Sequence, residues 1–227
     1  MAILVEHSKD WSKLYKAQAK QIKRIFGLGC MATFHIGATA IKGMPARPVI
    51  DILVILTESA DVCKFTELGY VYTQEGLYVL HTDETDYSVR FEKHPRQSRP
   101  DRLGGLRTIE PYLAMTMYLS ENKEAAAAFA QKKRAIAAEF ENDIVAYQAA
   151  KQQLIDEALP AALAHKQQRD KAAIYLPIGV CLGMCVGMCF GVAFDNIALG
   201  MCLGMGVGMC LGVALGSSHK NQTNDKE

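Results

Sequence analysis

Two apolar runs near the C-terminus constrain this 227-residue chain more than any other feature. Ile174 to Phe194 and Ile197 to Gly216 flank the pair Asp195-Asn196, and from Ala172 to Ser217 the single charged side chain is Asp195. About 20 residues carry a helix across a ~30 Å hydrocarbon core, and each run has that length. A two-residue polar break leaves no room for a domain between them, so the expected form is a tight antiparallel helical hairpin over 174–216.

The runs repeat one another. GVCLGMCVGMCFGVAF from Gly179 and GMCLGMGVGMCLGVAL from Gly200 agree at twelve of sixteen positions. Glycine recurs every fourth residue, at Gly179, Gly183, Gly187 and Gly191, then at Gly200, Gly204, Gly208, Gly212 and Gly216. Four-residue spacing places these glycines on one side of each helix, where backbones can approach closely and gain packing contacts. So much glycine would weaken a helix in water, which argues against a buried soluble hairpin. Cys181, Cys185 and Cys189 form a parallel row with Met184 and Met188 beside it. Soft sulfur ligands of this kind suit Cu(I), but the row lies ~200° around the helix from the glycines, and small, flexible apolar filling is the simpler reading.

Charge at the flanks gives an orientation. Lys166, Arg169 and Lys171 precede the first run, Lys220 and Lys226 follow the second, and the turn carries no basic residue. The positive-inside rule then predicts a multi-pass segment in the cell membrane with both termini cytoplasmic. The start of the chain lacks the basic residues and long apolar run of a signal peptide. Residues 166–173 are expected to form a basic linker and 217–227 a polar tail.

Everything before that linker, residues 1–165, has the mixed composition of a folded domain with its own core. Formal net charge over the chain is only +1, too small an excess to predict nucleic acid as a partner. Seven cysteines, five of them in the apolar runs, do not form a secreted disulfide framework. Periodicity predicts a helix from Ser8 or Asp10 to Gly27, strands at Cys30–Ile36 and Val49–Leu56, and a helix over 59–68. Shorter strands follow near 70–73, 77–81 and 87–93, and then helices from Arg107 to about Ala164, with breaks near Ser120 and Asn142. Pro160 and the charged stretch to Lys171 are expected to form the linker.

One residue breaks the pattern with chemical consequence. Asp51 is a carboxylate inside a strand of Val, Ile and Leu, and a buried carboxylate needs a partner, a metal ion or an open strand end. The loop before it carries His35, Gly37, Thr39, Lys42, Gly43 and Arg47. Glycines let backbone amides approach a phosphate, and lysine and arginine supply charge. A salt bridge from Asp51 to Arg47 or Arg90 accounts for the same residues without any ligand.

The segment from His35 to Val54, His-Ile-Gly-Ala-Thr-Ala-Ile-Lys-Gly-Met-Pro-Ala-Arg-Pro-Val-Ile-Asp-Ile-Leu-Val, resembles the signature loop of the GrpB family. Val5 to Trp11, Tyr118-Leu119, Phe129 to Ala137 and the Asp143, Tyr147, Lys151 series resemble further family motifs, so the likeness spans about residues 3–164. It implies an α+β, nucleotidyltransferase-like domain, a small mixed sheet flanked by helices, followed here by the transmembrane hairpin. In that superfamily a Gly-Ser loop holds triphosphate and an Asp-x-Asp strand binds two Mg²⁺ ions. Here Gly37-Ala38 and Asp51-Ile-Leu53 occupy those positions, so a hydroxyl and a carboxylate are replaced. Ser88-Val-Arg-Phe91 replaces the family's HLHV strand, and Ser88, Arg90 and Glu92 then share a face, with Glu92 as the substitute carboxylate.

The resemblance thus implies Asp51 and Glu92 as catalytic residues, Asp51 as the Mg²⁺ ligand, and His35, Gly37, Thr39, Lys42, Arg47, Arg90, Lys133 and Lys151 as ligand-binding residues. The expected function is binding of a nucleotide or other phosphorylated small molecule at a membrane, with nucleotidyl or phosphoryl transfer as its extension. The competing expectation is an inert interaction module whose glycine zippers drive homo-oligomeric assembly in the lipid bilayer.

Overall fold

The computed structural model describes residues 4–74, 76–83, 85–95, 109–140 and 143–218. It divides into two units, Met1–Leu163 and Ala164–Glu227.

The first unit is built on a five-stranded sheet: β1 (Cys30–Ile36), β2 (Val49–Thr57), β3 (Val71–Gln74), β4 (Leu77–His81) and β5 (Asp86–His94). The order is β1-β2-β5-β4-β3, with β2 and β5 parallel and the other neighbours antiparallel. Strand β2 sits inside the sheet and is covered on both faces, which is why it reads as a nearly unbroken apolar run. Its even-numbered side chains Ile50, Ile52, Val54 and Leu56 join Val89, Phe65 and Tyr78 in the main core. Helix α1 (Asp10–Phe26) closes that core through Trp11, Ile22 and Phe26. The odd-numbered Leu53 and Ile55 face the other way, into a smaller cluster with Ile36 and Ile109.

Helix α1 begins where expected. The Ser8 hydroxyl accepts the Asp10 amide at 3.2 Å, and the chain leaves the helix at Gly27 with φ 53°. The helix expected over 59–68 shrinks to α2 (Lys64–Glu67). The Asp61 carboxylate accepts the Cys63 amide at 3.0 Å, holding the preceding residues in a turn. Three helices follow: α3 (Glu110–Glu121), α4 (Lys123–Glu139) and α5 (Ile144–Ala193). Asn122 caps α4 by accepting the Ala125 amide at 3.1 Å. Asp143 caps α5 by accepting the amides of Val145 and Ala146 at 3.0 and 2.9 Å. Ile41, Met44, Met115, Leu119, Ala130 and Ala162 form a third apolar cluster among these helices and the loop after β1.

The stretch expected as the linker is helical. Pro160 and the basic segment 166–173 lie within α5. Alanines flank the proline, and Lys166 pairs with Asp170 at 2.8 Å one turn on, so strong helix formers outweigh one missing hydrogen bond.

In the second unit the C-terminal part of α5 and α6 (Ile197–Ser218) form the hairpin. Asp195 turns the chain at φ 55°, and Asn196 caps α6 by accepting the Leu199 amide at 3.1 Å. The glycine ridges face one another. A Cβ added at Gly179, Gly183, Gly187, Gly191, Gly200, Gly204, Gly208 or Gly212 would come within 3.0 Å of the opposite strand of backbone. Gly183, for example, abuts the Gly204 carbonyl and the Gly208 Cα. These ridge glycines are therefore taken up within the hairpin itself. Leu182, Val186, Phe190, Leu203, Val207 and Leu211 are exposed, as are Cys181, Cys185, Cys189, Cys202 and Cys210. Both helices are long and apolar enough to cross a membrane, and a continuous apolar surface of this kind marks contact with lipid or another apolar partner.

Gly206 supplies an internal control, because a Cβ there meets nothing within 4 Å. Gly187→Leu should separate the helices and lower the denaturation midpoint of the detergent-solubilised chain, whereas Gly206→Leu should leave it nearly unchanged. Equal effects at the two positions would show that the ridge does not hold the hairpin.

Candidate functional site

Asp51 stands on the odd face of β2, on the side of α3 to α5. In register it lies opposite Ile36 on β1 and Ser88 on β5. The next residue on that face, Leu53, is fully buried in the apolar cluster with Ile36, Ile55 and Ile109. Asp51 therefore sits at a boundary, with a packed core on one side and a cavity of about 770 Å³ on the other.

The loop after β1 reaches the carboxylate directly. Gly37 has φ 74°, and a Cβ there would lie 2.6 Å from Asp51 Oδ2. Glycine is thus required twice, for its backbone conformation and for the space the carboxylate occupies. The Gly37 amide donates to Thr116 on α3 at 3.2 Å. Further along, the Pro45 carbonyl accepts from Lys133 Nζ at 2.7 Å, and Ala46 pairs with Val5 through two backbone hydrogen bonds of 2.9 and 3.0 Å. The loop is fixed at its start, middle and end.

Cations converge on this cavity from four elements. Arg47 comes from the loop, Arg90 from β5, Lys133 from α4 and Lys151 from α5, and all four line it with Asp51. Arg90 lies over the Tyr112 ring, 5.2 Å from its centroid. Burial pushes the Asp51 carboxyl up. Lys151, a Ser88 hydrogen bond, Arg90 and Arg47 oppose that rise. Burial likewise lowers Lys151; Asp51 opposes the shift and Arg47 reinforces it. Lys133 is 4% exposed. Burial, aided by Lys151 and Arg47, brings its ammonium down to about 7. These cations repel one another across the cavity.

The remaining candidates fall elsewhere. Lys42 is exposed and outside the cavity. His35 is also outside it, stacked on Tyr15 at 4.7 Å. Its Nε2 contacts Thr39 Oγ1 at 3.1 Å while that hydroxyl donates to the Val49 carbonyl at 3.1 Å. Thr39 can then only accept, so Nε2 carries the proton. Burial brings the His35 pKa down to about 4, keeping the ring neutral. His35 and Thr39 are thereby committed to holding the loop, although Thr39 also lines the cavity.

Glu92 does not complete a carboxylate pair. It lies opposite Ile55, four residues along β2 from Asp51, which is roughly 13 Å at ~3.3 Å per residue. It contacts His94 at 2.9 Å instead. Among the described residues no group of three His, Cys, Asp or Glu could hold a metal ion. Asp51 is ringed by cations, and the other carboxylates lining the cavity, Asp86 and Asp156, are held by His81 and Gln152. The arrangement therefore does not fit a two-Mg²⁺ centre, whose metals need several converging carboxylates.

Sequence reasoning missed several cavity residues: Asp86, Tyr112, Thr116, Gln148, Gln152 and Asp156. Asp86 was legible in principle, two residues before Ser88 on the same strand face. It is held by His81 Nδ1 at 2.8 Å. The helical residues carry no local signal, because only packing decides which face of α3 or α5 meets the sheet.

Comparison with known proteins identifies the frame. The family model described as GrpB protein matches residues 2–161, and the one described as glycine zipper membrane protein matches residues 167–218. The chain belongs to the GrpB family. It is 30% identical over 169 residues to UPF0157 protein BH1888 of Halalkalibacterium halodurans, covering 71% of this chain and 82% of that protein. It is 29% identical to the glutamate-rich protein GrpB of Alkalihalophilus pseudofirmus, covering 69% and 93% respectively. The crystal structure of GrpB from Enterococcus faecalis superposes with a TM-score of 0.56 at 25% identity, covering 70% of this chain and 98% of that one.

Lys133 makes the site sensitive to pH. The unfolded lysine keeps its proton up to about 10.5, whereas the folded one releases it near 7. Between those values the unfolded state binds more protons, so stability rises with pH through this window and is lost as pH falls from 10.5 to 7. Lys133→Met should remove that component, so that urea midpoints measured at either end of the window differ less than in the parent chain.

Proposed function

We propose that the GrpB domain of this chain binds a phosphorylated small molecule, with nucleotides among the candidates, and that the glycine-zipper hairpin holds it at a membrane. The observation carrying this reading is the convergence of Arg47, Lys133, Lys151 and Arg90 on one cavity around Asp51, while the other lining carboxylates, Asp86 and Asp156, are held by His81 and Gln152. Charge-assisted hydrogen bonds from lysine and arginine suit a phosphate group. A dianion would offset the burial and the mutual repulsion that hold Lys133 and Lys151 below their ordinary range.

Binding without transfer is the form the residues favour. Leu53, at the second carboxylate position of the resemblance, belongs to a closed core, and Glu92 points its chemistry at His94. Basic residues on both flanks of the hairpin support an arrangement with both ends, and so the GrpB domain, on the cytoplasmic side.

Titration calorimetry on the full chain in lipid nanodiscs, with inorganic phosphate, ADP and ATP, tests the binding reading. Binding should draw protons from the buffer above pH ~7, because the anion holds Lys133 in its charged form. Arg47→Met should weaken it ~10–100-fold, the range for a hydrogen bond to a charged group. Affinity that is strictly Mg²⁺-dependent and lost in Asp51→Asn would instead favour a metal-assisted transferase. No heat with any phosphate compound would overturn the proposal. For the topology, a cysteine-free variant with one Cys at Asn196 should label from outside the cell, and one with Cys at Ser218 should not.

A further inference from the structure

The cavity has two chemically distinct ends. On α5, Lys151 is followed one turn later by Ile155 and two turns later by Leu159, all lining the space, while Gln152 and Asp156 line its exposed side and bond to one another at 2.9 Å. On α4, Lys133 has Phe129 one turn before it. On α3, Thr116, which holds the Gly37 amide, precedes Leu119 by three residues. Leu119 belongs to the apolar cluster of Ile41 and Met44, against which Phe129, Ile155 and Leu159 pack. Moving away from Asp51 along any of these three helices therefore leads from charged or polar side chains to hydrocarbon.

Water at the apolar end would find few hydrogen-bond partners, so filling that end with hydrocarbon is favourable. A nucleobase would need free polar groups there to meet its ring edges, whereas Leu119, Phe129, Ile155 and Leu159 are apolar and the neighbouring Gln152 and Asp156 bond to each other. Two helical turns from Lys151 to Leu159 span ~12 Å, the extended length of roughly an eight- to ten-carbon chain.

We propose that the ligand of this site is a phosphate monoester of a hydrocarbon alcohol, its phosphate between Arg47, Lys133 and Lys151 and its chain along Phe129, Ile155 and Leu159. This rests on the phosphate-binding reading and narrows it to an amphipathic molecule of the kind a membrane-associated protein meets at a lipid surface. The phosphate fixes orientation through charge, and the chain supplies affinity through burial.

A homologous series tests it: inorganic phosphate, then ethyl, butyl, hexyl and octyl phosphate below their micelle concentrations, titrated into the full chain in nanodiscs with empty nanodiscs as reference. Affinity should rise about fourfold per methylene, the equivalent of ~0.8 kcal/mol, until the cavity is filled. Adenosine monophosphate should bind no better than ethyl phosphate. Ile155→Asn should flatten the dependence on chain length, whereas Lys151→Met should weaken every member by a similar factor. Equal affinity along the series, tighter binding of adenosine monophosphate than octyl phosphate, or an unaltered slope in Ile155→Asn would each overturn the hydrocarbon inference while leaving phosphate binding intact. Failure of every compound, inorganic phosphate included, would overturn both.

Discussion

The Asp51 carboxylate interrupts β2, an interior strand covered on both faces, and burying such a group without partners costs several kcal/mol. The elements around it answer that cost from different directions. Ser88 donates from the parallel neighbour β5, Lys151 approaches from α5, and Arg90 and Arg47 add their fields from strand and loop. Gly37 gives up its side chain so that the loop can close over Oδ2. Once the loop is set there, the Pro45 carbonyl meets Lys133 and the Ala46 backbone meets Val5. The placement of α4, of α5 and of the N-terminal segment follows from the accommodation of one carboxylate.

That accommodation overshoots. Asp51 alone does not neutralise the four cations lining its cavity, since the other lining carboxylates, Asp86 and Asp156, are held by His81 and Gln152. Burial together with neighbouring cations shifts the two lysines toward their neutral forms. A purely structural salt bridge would need one partner for Asp51, and two would already be generous. Four cations facing a space of about 770 Å³ suit the proposed binding site better than an internal ion pair. A two-metal centre would show the opposite imbalance, with carboxylates in excess.

Much of the domain was legible in the sequence, because its signals are local. The strands Cys30–Ile36 and Leu77–His81 fall where apolar alternation and flanking glycines place them, and Asn122 and Asp143 mark the helix breaks by capping. Asp51 stood out for being polar in an apolar strand. Side-chain alternation gave the shared face of Ser88, Arg90 and Glu92 but not depth along it. Ser88 and Arg90 reach the cavity, and Glu92 lies beyond it beside Ile55. His35 and Thr39, prominent in the loop motif, bind each other and the Val49 carbonyl. A motif residue that shapes a loop leaves the same trace as one that grips a ligand. Pro160 leaves α5 unbroken, since the helix formers around it carry the helix through.

The hairpin shows how a repeat can encode register as well as contact. Antiparallel helices keep their partners in step only when paired residues are symmetric about the turn. Gly191 meets Gly200, Gly187 meets Gly204, Gly183 meets Gly208 and Gly179 meets Gly212, and each pair is centred on the bond between Asp195 and Asn196. The four-residue spacing makes every glycine a ridge position, and the length of the turn makes the two ridges meet glycine against glycine. A longer turn with the same repeats would bring each Gly against a large side chain or rotate one ridge away by ~100° per residue. Asp195 in a left-handed conformation and Asn196 at the helix cap hold the turn to its minimum. The polar break that interrupts the apolar sequence is thus also what aligns its two halves.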